Sequence, residues 1–324
     1  MKDFPVDLVI AWCRADAEHL EQKARVEKLF CKNTKTKLFD AHITRFRDNS
    51  ELKFCLRSVS KYMPWISTIY VVVANYQRPD AYIDDSVATI PKIRIITHSE
   101  MFTSSPKLPT FNSQAIECNL HNIPGLSEHF IYSNDDMYIG KPLTRSFFFN
   151  NETGHPRNLL EQSFVTTGPK VKGMSLHSMA WINNSELLDK IFSDDGVRRH
   201  YPSHVMQPLL RSSFSDACEN PVVRFCFERT SHTQFRSPVD IYPIGFIIYW
   251  NLLMNRATAR YGTDMCVFHD LEQNDDAAGL MEYMVGTCPH LFCINDGGYG
   301  PKEGSVLIRG LLKLYPDEAP WEPK

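Results

Sequence analysis

This sequence predicts an α/β fold built on a mostly parallel sheet, and three observations predict it. Short apolar runs alternate with helix-forming stretches through the first 150 residues. Two of those runs, Thr68 to Ala74 and Ile93 to Thr97, are rich in β-branched residues, as strands buried on both faces tend to be. The third observation is Phe130-Ile131-Tyr132, which ends in Asn134-Asp135-Asp136. In open α/β sheets ligands lie outside the carboxyl ends of the strands, where this acidic pair would sit.

Taken in order, Leu8 to Trp12 reads as a buried first strand, and Ala15 to Phe30 as a helix with apolar positions at Ala17, Leu20, Ala24 and Leu29. Ser50 can cap a helix over Glu51 to Tyr62, which Pro64 ends. Asn112 can cap another running to about Asn122, and Phe130 to Ser133 is the strand leading into the acidic pair. After about Asn150 the character changes. Ser185 to Phe192, Val205 to Phe214 and Phe246 to Ala259 read as helices, giving a mostly helical second half. The expected division is residues 1–150 as a nucleotide-sugar-binding α/β region and 151–324 as a helical acceptor and catalytic region, or one continuous domain. The 324 residues, 43% hydrophobic, suffice for either.

Thirty-five Lys and Arg against 38 Asp and Glu leave a formal charge of -3, so no global basic field argues for nucleic acid or an anionic membrane surface. An anionic substrate must be gripped locally. The nine cysteines form no Cys-x-x-Cys pair, and reduced thiols in a cytoplasmic protein are expected rather than zinc or disulfides. The opening residues lack a basic segment followed by an apolar core, and no uninterrupted apolar stretch reaches membrane-spanning length. Any contact with the inner face of a membrane is expected to be peripheral. Thr167-Gly168-Pro169-Lys170 lacks the spacing of a phosphate loop.

An Asp-Asp after a strand is by itself more often a turn or helix cap than a metal site. Here it follows Arg45-Phe46-Arg47-Asp48-Asn49-Ser50-Glu51-Leu52, Leu56-Arg57-Ser58, Pro64-Trp65-Ile66, Leu108-Pro109-Thr110-Phe111-Asn112-Ser113 with Glu117, and Ile123-Pro124-Gly125-Leu126-Ser127-Glu128. Together these resemble the second conserved region of the Stealth family, hexose-1-phosphate transferases of bacterial capsule and exopolysaccharide, with an animal relative in the lysosomal-enzyme GlcNAc-1-phosphotransferase. His200-Tyr201-Pro202 and Phe235-Arg236-Ser237-Pro238-Val239-Asp240 resemble the third region, and Phe292-Cys293-Ile294-Asn295-Asp296 the fourth. Val6-Asp7-Leu8-Val9-Ile10-Ala11-Trp12 fits the first region, but Cys13-Arg14-Ala15-Asp16 departs from it: the glycine is missing and Arg14 replaces an acidic or polar residue.

The resemblance implies a glycosyltransferase-A-like architecture and transfer of sugar-1-phosphate, GlcNAc-1-phosphate being favoured, from a UDP-sugar to a hydroxyl of an oligo- or polysaccharide acceptor, with UMP leaving. Such chemistry calls for Mg²⁺, with Mn²⁺ as the alternative, for arginine on the phosphoryl oxygens and for a base. Asp135, Asp136 and Asp296 are the metal candidates. His200 is the candidate base, with His204 and Asp240 competing, and Arg236 the phosphoryl contact. Asp7, Arg57, Ser58, Asn112, Ser113 and Asn134 are candidates for holding the nucleotide-sugar. Two other readings stay open: a UDP-releasing glycosyltransferase of the same architecture, and a non-catalytic sugar-nucleotide or polysaccharide binder.

Overall fold

A computed structural model describes residues 4–34, 43–84, 86–87, 91–103, 107–193, 198–262 and 265–324; the side chain of Arg45 lies outside the described part. The central sheet is formed by β1 (Val6–Ala11), β2 (Thr68–Val73), β3 (Lys92–Thr97) and β4 (His129–Asn134), in the order β3-β2-β1-β4 and parallel throughout. Along β1 the side chains alternate between two cores, as a sheet covered on both faces requires. Val6, Leu8 and Ile10 pack with Leu52, Phe54 and Val59, while Val9 packs with Phe130, Tyr132 and Phe246 on the other face.

The acidic turn is followed by β5 (Met137–Ile139). The rest of the chain contributes β6 (Arg157–Phe164), β7 (His200–Pro202), β8 (Gln207–Leu210), β9 (Thr258–Tyr261), β10 (Cys266–Leu271) and β11 (Leu291–Asp296). β8 adds to the central sheet antiparallel to β4. β10-β11-β5 and β7-β6-β9 form two further three-stranded sheets. Strands from either side of residue 150 thus share two of the three sheets.

The helix over Glu51–Tyr62 stands where expected, but Ser50 does not cap it: it adopts φ 70° and makes no side-chain capping bond. Asn112 does cap, accepting from the Gln114 amide at 3.1 Å. The α-helix stops at Glu117, where the Asn119 side-chain amide turns back onto the Ala115 carbonyl at 2.8 Å, and a 3₁₀ helix over Leu120–Asn122 carries the path to the expected end. The stretch 205–214, expected to be helical, holds β8 and only then a helix, Ser212–Glu219. Pairing of Leu209 with Phe130 along β4 buries Leu209 completely, and that burial overrides local propensity. The helix expected over 246–259 runs Pro243–Leu253, and Asn255, at φ 55°, separates it from β9. Among the described residues no helix is long and apolar enough to cross a membrane.

Candidate active site

The order β3-β2-β1-β4 carries a functional statement. The chain steps outward from β1 through β2 to β3 and then returns to β4 on the far side of β1, so a crevice opens between the carboxyl ends of β1 and β4. The register aligns Ala11 with Asn134, which sets the loop Trp12 to Asp16 beside the turn Asp135-Asp136. β5 runs antiparallel to β11, and the Ile294 amide donates to the Asp136 carbonyl at 3.3 Å, fixing the acidic turn from below. Burial, then the charges of Asp136, Glu51 and Asp48, push the Asp135 carboxyl well above its usual range. Asp136 is raised too, by burial and by Glu51 and Asp270. Burial likewise raises Asp48 and Glu51. Asp136 Oδ1 is buried and finds no hydrogen-bond partner among the described residues.

Asn134 and Met137, which flank the acidic pair, line a cavity of about 90 Å³. Its chemistry comes from Glu117, Arg236, His204 and His177, with Ser113 and Tyr132 beside them. Arg236 Nη2 donates to Ser113 Oγ at 2.9 Å, which ties the 233–240 loop to the Asn112-capped helix. Glu117 lies one turn along that helix and is only 4% exposed. Burial pushes it up to about 8 against the opposing pull of Arg236 and the Tyr132 hydroxyl, so it holds a proton at neutral pH. Burial drives His204 the other way, down to about 4, with Asp270 opposing and Arg236 reinforcing. It is a neutral imidazole at neutral pH, able to accept a proton.

Of the residues expected from sequence, Asn134, Ser113 and Arg236 meet at this cavity; Asp135 and Asp136 do not line it but lie in the turn between its lining residues Asn134 and Met137. The others are placed elsewhere. Asp7 sits at the amino end of β1, about 15 Å of strand from the crevice at roughly 3.3 Å per residue. There its carboxylate accepts from the Thr68 amide at 3.1 Å and the Ser127 amide at 2.7 Å, closing the starts of β2 and β4. Arg57 is no nucleotide contact: it is 5% exposed, forks onto Glu322 at 2.6 and 2.8 Å, and donates to the Tyr315 carbonyl. Ser58 is fully buried, bonded to the Cys55 carbonyl at 2.7 Å and accepting from the Ile139 amide.

Asp296 binds Arg47 through both carboxylate oxygens and accepts from the Gly298 amide, which withdraws it from the metal set. Asn112 and Asp240 are both 0% exposed and bond each other at 2.9 Å; Asp240 also receives the Ser237 amide at 2.8 Å. They brace the Arg236 loop from behind. His200 does not line the cavity. Its ring lies 4.3 Å from Phe164 and 4.9 Å from Tyr261, while His204, four residues on, reaches the cavity wall. Of the two histidines it is therefore His204, and not the expected His200, that meets Arg236 at the cavity.

Glu117, His177, Asp48, Glu51 and Asp270 were not among the sequence candidates. Glu117 stood within the family-like segment, but only its burial beside an arginine reveals a titrating group.

A profile described as Stealth protein CR2, conserved region 2, matches residues 45–157. The capsular polysaccharide phosphotransferase LcbA of Aeromonas hydrophila is 33% identical over 302 residues, covering 91% of this chain and 79% of LcbA. The chain belongs to the Stealth family. This Stealth protein is also 32% identical to an exopolysaccharide phosphotransferase of Streptomyces coelicolor and 30% identical to the exopolysaccharide phosphotransferase CpsY of Mycobacterium tuberculosis H37Rv, over 98% of its length in each case. It spans only 57% and 58% of those two relatives. Among solved structures, the apo form of the bifunctional glycosyltransferase WbbM aligns over 99% of the chain and 51% of its own at 10% identity, with a TM-score of 0.47.

Proposed function

We propose that this Stealth protein transfers GlcNAc-1-phosphate from UDP-GlcNAc to a hydroxyl of a saccharide acceptor, releasing UMP, in cell-surface polysaccharide assembly at the cytoplasmic side of the membrane. One observation carries the reading: a single cavity holds a guanidinium, a neutral imidazole and a protonated carboxyl, and it opens beside an acidic turn at the crevice between β1 and β4. The names of the relatives, capsular and exopolysaccharide phosphotransferases, support the same class.

In this reading His204 takes the proton of the acceptor hydroxyl. The acceptor oxygen bonds to the phosphorus that bears the sugar, the bond from that phosphorus to the bridging oxygen breaks, and UMP departs with that oxygen. Arg236 faces the phosphoryl oxygens with planar donors, and Glu117 offers a hydrogen bond without adding charge. The residues present fit Mg²⁺. Asp135 and Asp136 are hard oxygen donors, and Asp136 Oδ1 is buried without a partner among the described residues. No group of three or more His, Cys, Asp and Glu among those residues is arranged to hold a metal by itself. One or two carboxylates completed by phosphate oxygens is the usual Mg²⁺ arrangement at phosphoryl-transfer sites. When bound, the ion would neutralise charge on the diphosphate.

The test is to separate UMP from UDP after incubation with UDP-GlcNAc, Mg²⁺ and short saccharide acceptors, with EDTA and Asp136→Asn as controls. Metal-dependent UMP together with a sugar-phosphate-extended acceptor is the expected result. UDP as the product would replace this reading with glycosyl transfer.

A further inference from the structure

β6 is the middle strand of the sheet β7-β6-β9. Leu160 stands opposite both Tyr261 on β9 and Pro202 on β7, and Phe164 stands opposite His200. The pairing shifts register between Leu160 and Phe164, and it is the His200 ring that brings Phe164 and Tyr261 into one cluster, 4.3 Å from Phe164 and 4.9 Å from Tyr261. The outer rings are not core: Phe164 is 40% exposed and Tyr261 53%. Arg198 lies over Phe164, its guanidinium carbon 4.0 Å from the ring centroid. Four residues beyond His200 the same segment delivers His204 to the cavity wall, where its ring meets Phe268, itself 44% exposed, at 5.1 Å. Open aromatic rings therefore stand at both ends of the segment 200–204, as a band made of the cluster on His200 and of Phe268 against the imidazole assigned as the base.

We propose that this band is the acceptor subsite, on which pyranose rings of the saccharide stack so that the next hydroxyl falls at His204. The inference rests on the acceptor being a saccharide. The surface suits that class: a pyranose ring offers an apolar C–H face edged by hydroxyls, and here flat rings are interleaved with imidazole and guanidinium donors and bordered by the exposed Gln162 and Ser163 of β6. Exposed aromatic patches rimmed by polar groups commonly mark binding surfaces. Continuity with the cavity through the segment 200–204 sets which ligand this one serves.

Saturation-transfer NMR with N-acetylglucosamine and mannose oligosaccharides of two to six sugars tests the subsite without requiring turnover. Phe164→Ala and Tyr261→Ala should each weaken binding about tenfold and the double variant should abolish it, while Tyr261→Phe keeps it. Phe225→Ala, which removes a 60% exposed ring on the helix Pro221–Ser231, should change nothing. Binding that survives the double variant, or a wild-type chain that binds none of the oligosaccharides, overturns the proposal. Oligosaccharide binding lost in the double variant, in a chain that yields no UMP from UDP-GlcNAc, would retain the subsite while the proposed reaction fails.

Discussion

Glu117 and His204 are perturbed in opposite directions by one cause, burial, and this sets them up as a complementary pair: an acid that keeps its proton and a base that stays free of one. Their pH consequence follows directly. Activity should rise as His204 becomes neutral above about 4 and fall as Glu117 ionises above about 8. Glu117→Gln, which still donates but cannot titrate, should remove the alkaline limb of kcat/KM and leave the acid limb; an unchanged alkaline limb would assign that limb to another group. His204→Ala should lower kcat about 10²- to 10⁴-fold, the usual worth of a positioned base. His200→Ala should instead raise the acceptor KM with kcat within a few-fold; the reverse pattern would return the base to His200. At this scale the sequence was legible where types cluster in a motif, as in Arg236, which lines the cavity. It was illegible as to which of two histidines four residues apart reaches the cavity. Their placement is set by a three-residue strand, which turns His200 toward Phe164 before His204 reaches the cavity.

Among elements, the helix Glu51–Tyr62 shows how a site residue and a structural one can look alike. Arg57 is a cation on a family-like helix, yet the carboxylate that claims it is Glu322, 265 residues away and unforeseeable from local sequence. Breaking this buried pair by Arg57→Ala should cost about 3–5 kcal/mol, read from denaturant unfolding. The donor KM of an Arg57→Lys variant should stay within a few-fold of wild type; a tenfold rise would restore Arg57 to the nucleotide. The central strands were readable because β-branched runs buried on both faces admit little else. β8 was not, because Gln207-Pro208-Leu209-Leu210 is extended only by virtue of the open edge of β4. The break at Glu117 in the helix that Asn112 caps was unreadable for a similar reason: the Asn119 side chain bonds Ala115 and, at 2.8 Å, Ser231 across the core.

For the molecule as a whole, alternation of strands and helices announced the α/β class and the mostly parallel central sheet, but not that the central sheet and one of the smaller sheets each draw strands from both halves. That arrangement crowds carboxylates from distant segments, Glu51, Asp135, Asp136 and Asp270, into one region where each raises others. A divalent cation that binds only this folded array should stabilise the chain by mass action, about 2.7 kcal/mol at a hundredfold excess over Kd. Scanning fluorimetry should therefore show a higher Tm in Mg²⁺ than in EDTA, with the difference abolished in Asp136→Asn. Equal Tm values in Mg²⁺ and EDTA for the wild-type chain would remove the metal assignment.

The bond from the Ile294 amide to the Asp136 carbonyl has a bearing on how the protein is made. The turn that carries the acidic pair can be locked only after residue 294 has been synthesised. At the usual pace of about 5–20 residues per second, a nascent chain waits roughly 8–30 s between making Asp136 and meeting its partner strand. Through that interval β5 lacks its neighbour, and the ribosome holds a half-built crevice that has no fixed acidic turn. Assembly of the acidic edge is thereby deferred until β11 is in place.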